Sequence, residues 1–147
     1  MSNVDYLGYE QRKRAAGSQY GASAARNAYA RFLAQQRGSR AGFDIGRKYQ
    51  REMPGFISGY TRRGLAGPGV RSGIYSRGLQ DFANQQVEEQ NRARQEMLES
   101  LREADLTEAD LKAEYQTQLA ELEAQKQNQI AQTAATLNSF KPFLGGY

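Results

Sequence analysis

The residues whose types and spacing come nearest to a chemical site lie in "GYTRRGLAGPGVRSGIYSRGLQDF", residues 59–82. A Walker-type phosphate loop needs G-x-x-x-x-G-K-[S/T], because its backbone N–H groups and lysine hold the phosphates. Gly64 and Gly69 have that spacing, but Val70 occupies the lysine position. The dinucleotide pattern G-x-G-x-x-G fails too, since Gly73 follows Gly69 one residue too late. The stretch therefore favours a turning segment over a nucleotide site.

The arginines of the first half of the chain suggest recognition of an acidic partner. They are interleaved with tyrosine and phenylalanine, a mixture that can bind phosphates and stack on unpaired bases. No sequence motif of a known nucleic-acid reader occurs, and arginines also pair with carboxylates on protein partners. We expect the arginines of the glycine-rich stretch to contact an acidic surface, with a protein subunit favoured over DNA. They are Arg62, Arg63, Arg71 and Arg77.

The sequence contains few residues that could act in catalysis or bind a metal. The chain contains no histidine and no cysteine, which removes the usual general base near neutral pH, the thiolate nucleophile and the commonest soft metal ligands. Carboxylates are frequent between Glu88 and Glu114, where a helix would carry them on its solvated face. We expect no catalytic residue, no metal and no cofactor, and hence a protein that is not an enzyme.

Length and composition bound the elements that carry these residues. The 147 residues suit one domain, but only 39% are hydrophobic, so the apolar surface for a self-contained core is limited. We expect helices that bury part of their apolar surface on other subunits. No signal segment and no apolar run of membrane-spanning length occurs, so we expect synthesis in a host cytoplasm and no membrane partner.

Charge and glycine divide the chain near Gly78. Residues 1–78 hold 14 Arg/Lys and 4 Asp/Glu, a net of +10, whereas residues 79–147 hold 6 and 12, a net of −6. Thirteen of the 15 glycines also lie in residues 1–78. The basic half can therefore meet nucleic acid, an acidic protein surface or the acidic half of a neighbouring copy.

The sequence predicts an all-α, elongated protein. Its Gly/Arg-rich first half should hold short helices, the last of them ending at Pro54. Its second half should be a long helix or a helical hairpin, with Thr107 as the candidate interruption, that forms a bundle or coiled coil with partners. The predicted segments are an extended arm over 1–21, short helices over 22–54, a connector over 55–78, the long helix or hairpin over 79–138 and an aromatic tail over 139–147.

Apolar side chains at helical spacing predict the contact faces. In the second half the stripe has 3-and-4 spacing but is interrupted at Lys126, which argues against a strong zipper. After Pro142 a helix should not continue. The predicted interface residues are Tyr29, Phe32 and Leu33 in the first half, Leu111, Tyr115, Leu119, Leu122, Ile130 and Leu137 in the second, and Phe140, Phe143, Leu144 and Tyr147 in the tail.

Three stretches give the chain a likeness to known proteins: "RFLAQQRGSR", "AGPGVRSGIYSRGLQDFA" and "YQTQLAELEAQKQNQIAQTAATL". In these the chain resembles small virion proteins of tailed bacteriophages. The resemblance implies a non-enzymatic assembly protein of the virion, a minor tail or head–tail component that is present in several copies and orders on neighbouring virion proteins. The alternative is an internal head or ejection protein that contacts DNA.

Overall fold

The described part of the chain consists of two long helices. The computed structural model describes residues 5–144, and side chains for residues 5–139. Helix α1 spans Tyr6–Arg62 and helix α2 spans Gly73–Leu144, and residues 63–72 form the connector between them. No strand occurs in residues 5–144. The all-α prediction is confirmed, and the two helices pack against each other.

Side-chain caps fix where both helices begin. The N–H of Gly8 donates to Oδ1 of Asp5 at 2.8 Å, so Asp5 caps α1. The N–H of Tyr75 donates to Oγ of Ser72 at 3.2 Å, and Ser72 thereby caps α2. Each cap satisfies one of the amide groups that a first turn leaves without a helical partner.

Glycine residues with positive φ end α1 and determine the shape of the connector. The N–H of Leu65 donates to the carbonyl of Tyr60 at 3.0 Å, and Gly64 has φ +69°. A left-handed glycine under such a bond is a Schellman cap, which closes a helix. Gly67 and Gly69 also have positive φ, a conformation that side chains with a Cβ rarely adopt. The turning segment predicted from these glycines is therefore present, but it is confined to residues 63–72.

The extended arm predicted over 1–21 is wrong for residues 6–21, which belong to α1. Glycine costs a helix up to about 1 kcal/mol relative to alanine, and this cost prompted the prediction. Packing offsets it. This part of α1 is held against α2 by the stacking of Tyr20 on Tyr115. Gly17 lies beside the same ring, since a Cβ built on it would be 3.6 Å from Oη of Tyr115, an ordinary contact distance.

The short helices predicted over 22–54 are also wrong, because α1 is continuous through this range and through Pro54. A proline removes one backbone hydrogen bond and crowds the preceding turn. The turns that follow Pro54 are held to α2 by aromatic packing, since Phe56 stacks on Phe82 with ring centres 4.8 Å apart. This contact lets the helix continue to Arg62, so most of the connector predicted over 55–78 is helical.

Helix α2 is a single helix, so the uninterrupted alternative for 79–138 is right and the hairpin is wrong. Thr107 lies within the helix and does not start a new one. The helix also passes Pro142 and reaches Leu144, so the predicted tail over 139–147 is helical up to residue 144. Residues 145–147 lie outside the described part of the chain.

The chain divides into two compact units, each built from a part of both helices. Unit 1 comprises Met1–Ala28 and Asp105–Tyr147, and unit 2 comprises Tyr29–Ala104. Within unit 1, Tyr20 of α1 stacks on Tyr115 of α2 with ring centres 4.7 Å apart. Within unit 2, the two helices are antiparallel and joined by the connector.

The buried core is thin in both units. Among the described side chains none is completely buried, and several of the most buried are small or polar. Those with the least exposure are Tyr9, Ala16 and Asn27 in unit 1, and Tyr49, Ala66, Phe82 and Ala104 in unit 2. A core of this size leaves much of the helix surface available to other molecules.

Candidate interaction surfaces

An aromatic cluster joins the helices of unit 2 near the connector. The ring of Phe82 in α2 makes an edge-to-face contact with Tyr49 at 5.0 Å and stacks on Phe56 at 4.8 Å, measured between ring centres. Tyr60 extends the cluster from Phe56 at 4.9 Å, and Tyr75 follows at 5.4 Å. Tyr49 and Phe82 are only 4% and 8% exposed. The cluster is therefore the main apolar anchor of unit 2.

A polar cluster lies beside these rings and cross-links the same helices. Nζ of Lys48 donates to Oε1 of Glu89 at 3.0 Å and to Oε2 at 3.2 Å. The hydroxyl of Tyr49 donates to Oε1 of Glu89 at 3.0 Å. One carboxylate of the acidic helix thus binds two donors of the basic helix, so part of the charge asymmetry is matched within the chain.

The polar cluster shifts the pKa values of its three members. The hydrogen bond from Lys48, followed by that from Tyr49, holds the pKa of Glu89 below its usual value of 4.5. The same bond to Glu89 raises the pKa of Lys48 above 10.5, because it favours the charged ammonium. Desolvation raises the pKa of Tyr49 above 10.0, and its hydrogen bond to Glu89 adds to this. At neutral pH the three groups therefore form a bonded ion pair with a neutral phenol, which suits a structural link.

An open groove of about 560 Å³ runs along α1 next to both clusters. Pro54, which has no amide hydrogen to donate within the helix, lies on its wall. Most of the lining surface is apolar. The lining residues are Tyr49, Gln50, Met53, Pro54, Ile57, Ser58 and Gln86.

The face of α1 that points away from α2 in unit 2 carries large exposed aromatic rings. Tyr29, Phe32 and Phe43 are 62%, 56% and 63% exposed. Together with Arg40 and Arg47 they are spaced by three, eight, three and four residues, which is close to whole helical turns, so all five share one side of the helix. The guanidinium of Arg47 lies 5.5 Å from the centre of the Phe43 ring. We call these five residues the outer face of α1.

The structure places the predicted interface residues of the first half in two settings. Tyr29 and Phe32 belong to the outer face, and their rings lie 6.4 Å apart. Leu33 is half-buried and does not share their exposure. Phe43 was missed by sequence reasoning, although its spacing of eleven residues from Phe32 places it on the same side of a continuous helix. The predicted break into short helices hid that relationship.

The predicted interface residues of the second half lie mostly towards α1. Tyr115 stacks on Tyr20, and Leu111 and Leu122 line shallow grooves with residues of α1 in unit 1. Leu119 and Ile130 are half-buried, whereas Leu137 is exposed. Part of this stripe is therefore covered within the chain itself. The side chains of Phe140, Phe143, Leu144 and Tyr147 lie outside those that the structure describes.

The four predicted acidic-partner contacts lie around the connector and are all exposed. Arg62 ends α1, Arg63 and Arg71 lie in the connector, and Arg77 lies in the second turn of α2. Arg63 is held in place, since its Nε donates to the carbonyl of Gly59 at 3.2 Å and its guanidinium lies over the ring of a tyrosine in α1. No Asp or Glu occurs in residues 53–80. This end of unit 2 is therefore positive.

Sites of other kinds are not found in residues 5–144. Over that range no group of three or more His, Cys, Asp or Glu side chains is placed to hold a metal ion. Neither helix, as far as the structure describes it, has a stretch long and apolar enough to cross a membrane. A comparison of the chain with protein families, with curated proteins and with solved structures finds no match.

Proposed function

We propose that the protein is a non-enzymatic assembly component of a tailed-bacteriophage virion, a minor tail or head–tail protein that packs on neighbouring subunits. The observation that carries this proposal is the outer face of α1 in unit 2. Tyr29, Phe32 and Phe43 expose more than half of their surface there, although the opposite side of the same helix already packs on α2.

Exposed rings of this size are typical of a contact surface. Isolated apolar residues on a protein surface need no explanation, but several large ones on one side of a helix do. Tyrosine, phenylalanine and arginine are enriched in protein interfaces, and the outer face contains all three. The stacking of Arg47 over Phe43 keeps a cation beside an apolar contact, which fits a partner that is both apolar and acidic.

The composition of α1 supports the same role. The helix contains eight glycines and Pro54, each of which weakens an isolated helix by about 1 kcal/mol for glycine and 3 kcal/mol for proline. Such a helix depends on packing for its stability. Beyond the neighbouring helix backbone, a Cβ built on Gly21, Gly42, Gly46 or Gly55 would meet no atom of the described residues within 4 Å, so contacts among those residues do not explain these glycines. Neighbouring subunits would supply further packing.

The polar cluster favours assembly over catalysis. Lys48, Tyr49 and Glu89 satisfy one another in bonds that join α1 to α2. A catalytic base or nucleophile needs a free lone pair or proton directed at a substrate. The three groups instead act as a clamp between the helices, which holds the outer face in position.

Incorporation of the protein into phage particles tests the proposal. Particles assembled from the genome that encodes the chain should contain it in several copies, as quantified by mass spectrometry. The triple variant Tyr29→Ser, Phe32→Ser and Phe43→Ser should fold, since these rings are exposed, but should be lost from particles. The control variant Leu106→Ser removes an exposed side chain elsewhere, and it should still be incorporated into particles. Absence of the wild-type chain from particles would refute the proposal.

The alternative, an internal protein that contacts DNA, is favoured by the positive end of unit 2. Four exposed arginines and no acidic residue lie in residues 53–80, and Tyr60 and Tyr75 are close to them. Binding through phosphates falls steeply as salt rises. The test compares DNA binding by the wild type with that of a variant in which Arg62, Arg63, Arg71 and Arg77 are changed to Gln. Tight binding that depends steeply on salt and is lost in the variant would favour this alternative. Weak binding that is the same in both proteins would favour the assembly role.

A further inference from the structure

We infer that the outer face of α1 packs on the outward side of α2 in a second copy of the chain, so that copies associate side by side. The inference rests on the assembly role proposed above and names the partner. It concerns unit 2 alone, which carries both surfaces.

The charges of the two helices select α2 of another copy as the partner. Within unit 2, residues 29–62 of α1 hold 7 Arg/Lys and 2 Asp/Glu, a net of +5, whereas residues 73–104 of α2 hold 4 and 6, a net of −2. Two outer faces in contact would place Arg40 and Arg47 of one copy against the same residues of the other, and such like-charge contacts are unfavourable. Contact of α1 with α2 instead brings together two segments of opposite net charge.

The spacing of exposed apolar residues on α2 matches that on α1. Phe32 and Phe43 are eleven residues apart, which is three helical turns or about 16 Å. Val87 and Leu98 of α2 are also eleven residues apart and are 53% and 51% exposed. Each ring of one copy can therefore meet one aliphatic side chain of the other along straight, neighbouring helices.

Carboxylates stand next to both aliphatic residues. Glu88 directly follows Val87, Glu99 directly follows Leu98, and both carboxylate residues are exposed. On α1 the arginines stand about one turn from the ring, with Arg40 three residues before Phe43 and Arg47 four residues after it. Apolar contacts flanked by opposite charges are the usual arrangement of a specific helix–helix interface.

The contact has a consequence for the assembly that it builds. The surface used on one copy differs from that used on the next, so each bound copy leaves one outer face and one α2 surface open. A heterologous contact of this kind continues into a ring or an open array. The oligomers should therefore become larger as the protein concentration rises, and association should not stop at the dimer.

Charge reversal in the full chain tests the inference by sedimentation velocity at low salt. The wild type should form dimers and larger species. Arg40→Glu with Arg47→Glu should sediment as a monomer, and so should Glu88→Arg with Glu99→Arg. A mixture of the two variants should associate again, because each supplies the surface or the charge that the other lacks. Phe43→Ser should weaken association by about tenfold or more, and Leu106→Ser should leave it unchanged.

Several outcomes would overturn the inference, and circular dichroism of each variant separates them from loss of folding. Association that survives reversal of Glu88 and Glu99 but not of Arg40 and Arg47 would indicate another partner surface. A mixture that stays monomeric would exclude the proposed pairing. A wild-type chain that is monomeric at every concentration yet enters particles would overturn the inference while leaving the assembly role standing.

Discussion

The ammonium of Lys126 in α2 lies 4.7 Å from the centre of the Tyr9 ring in α1. The same ammonium is 5.7 Å from the ring of Tyr6. Lys126 interrupts an otherwise apolar stripe, and the interruption argues against helix pairing when only the sequence is considered. Two tyrosine faces accept the charge instead, so a cation continues the contact between the helices of unit 1.

Replacing this lysine should measure the contribution of the ring contact. Lys126→Met keeps the length and apolar stem of the side chain but removes its charge. We expect the free energy of unfolding to fall by about 0.5–1 kcal/mol, as measured by urea denaturation. Lys112→Met removes an exposed lysine from the same helix and should have a smaller effect. Equal or greater stability of Lys126→Met would mean that packing of the stem, and not the charge, holds Tyr9.

The helical class could be predicted from residues, because the stretch over 79–138 is free of glycine and proline and carries helical apolar spacing. The sequence alone leaves open whether this stretch is one helix or a hairpin. The continuity of α1 could not be predicted. Gly17, Gly38 and Pro54 each weaken a helix locally, and only their neighbours across the helix pair show why it persists. Those neighbours, among them Tyr115 and Met97, are distant in sequence.

Gly38 and Gly42 offer a matched pair that separates packing from backbone propensity. A Cβ on Gly38 would lie 2.6 Å from Cγ and 2.8 Å from Cβ of Met97, whereas a Cβ on Gly42 would meet nothing within 4 Å. Gly42→Ala should therefore stabilise the protein by about 0.5–1 kcal/mol through helix propensity. Gly38→Ala should destabilise it by up to about 2 kcal/mol, because overpacking of about 1–3 kcal/mol exceeds the same gain.

A double variant checks the cause assigned to Gly38. Met97→Ala removes the side chain that the new methyl group would meet, so Gly38→Ala should become neutral or stabilising in that background. The four proteins form a double-mutant cycle in urea denaturation. Stabilisation by Gly38→Ala in the wild-type background would show that Met97 moves aside at no cost, against this prediction.

Two phenylalanines of unit 2 should differ in their effect on stability. Phe82 is buried between Tyr49 and Phe56, so Phe82→Ala should lower the free energy of unfolding by about 3 kcal/mol or more. Phe43 is exposed, and Phe43→Ala should lower it by about 0.5 kcal/mol or less. Thermal and urea denaturation at low protein concentration measure both. Similar losses for the two variants would contradict the assignment of Phe82 to the core and Phe43 to the surface.

The residues of the candidate contact surfaces could be predicted from the sequence better than their arrangement in the fold. The spacing of Tyr29 and Phe32 predicts contact residues, and the density of arginines in residues 59–82 predicts contacts with an acidic partner. Phe43 and the partnership of Lys48 with Glu89 were not predicted, since both depend on α1 being one helix in register with α2. Register arises from long-range packing, such as that of Phe56 on Phe82, which local patterns do not contain.

The stability contributed by the clamp between Lys48 and Glu89 should depend on pH in a defined direction. The pKa of Glu89 is lowered in the folded chain, so its contribution is present above the unfolded value near 4.5 and is lost as pH falls through the folded value. The pKa of Lys48 is raised, so its contribution is present below 10.5 and is lost as pH rises through its folded value. The clamp is therefore strongest between these limits.

Glu89→Gln tests this direction, because glutamine keeps the size of the side chain but does not ionise. The variant should be less stable than the wild type in urea at about pH 7, and the difference should narrow as the pH is lowered to about 3, where the wild-type carboxylate takes up a proton. Tyr49→Phe removes one of the two donors that lower the pKa of Glu89, so in that background the narrowing should begin at a higher pH. A difference that stays constant from pH 7 to pH 3 would show that the charge of Glu89 contributes nothing and that only its shape is used.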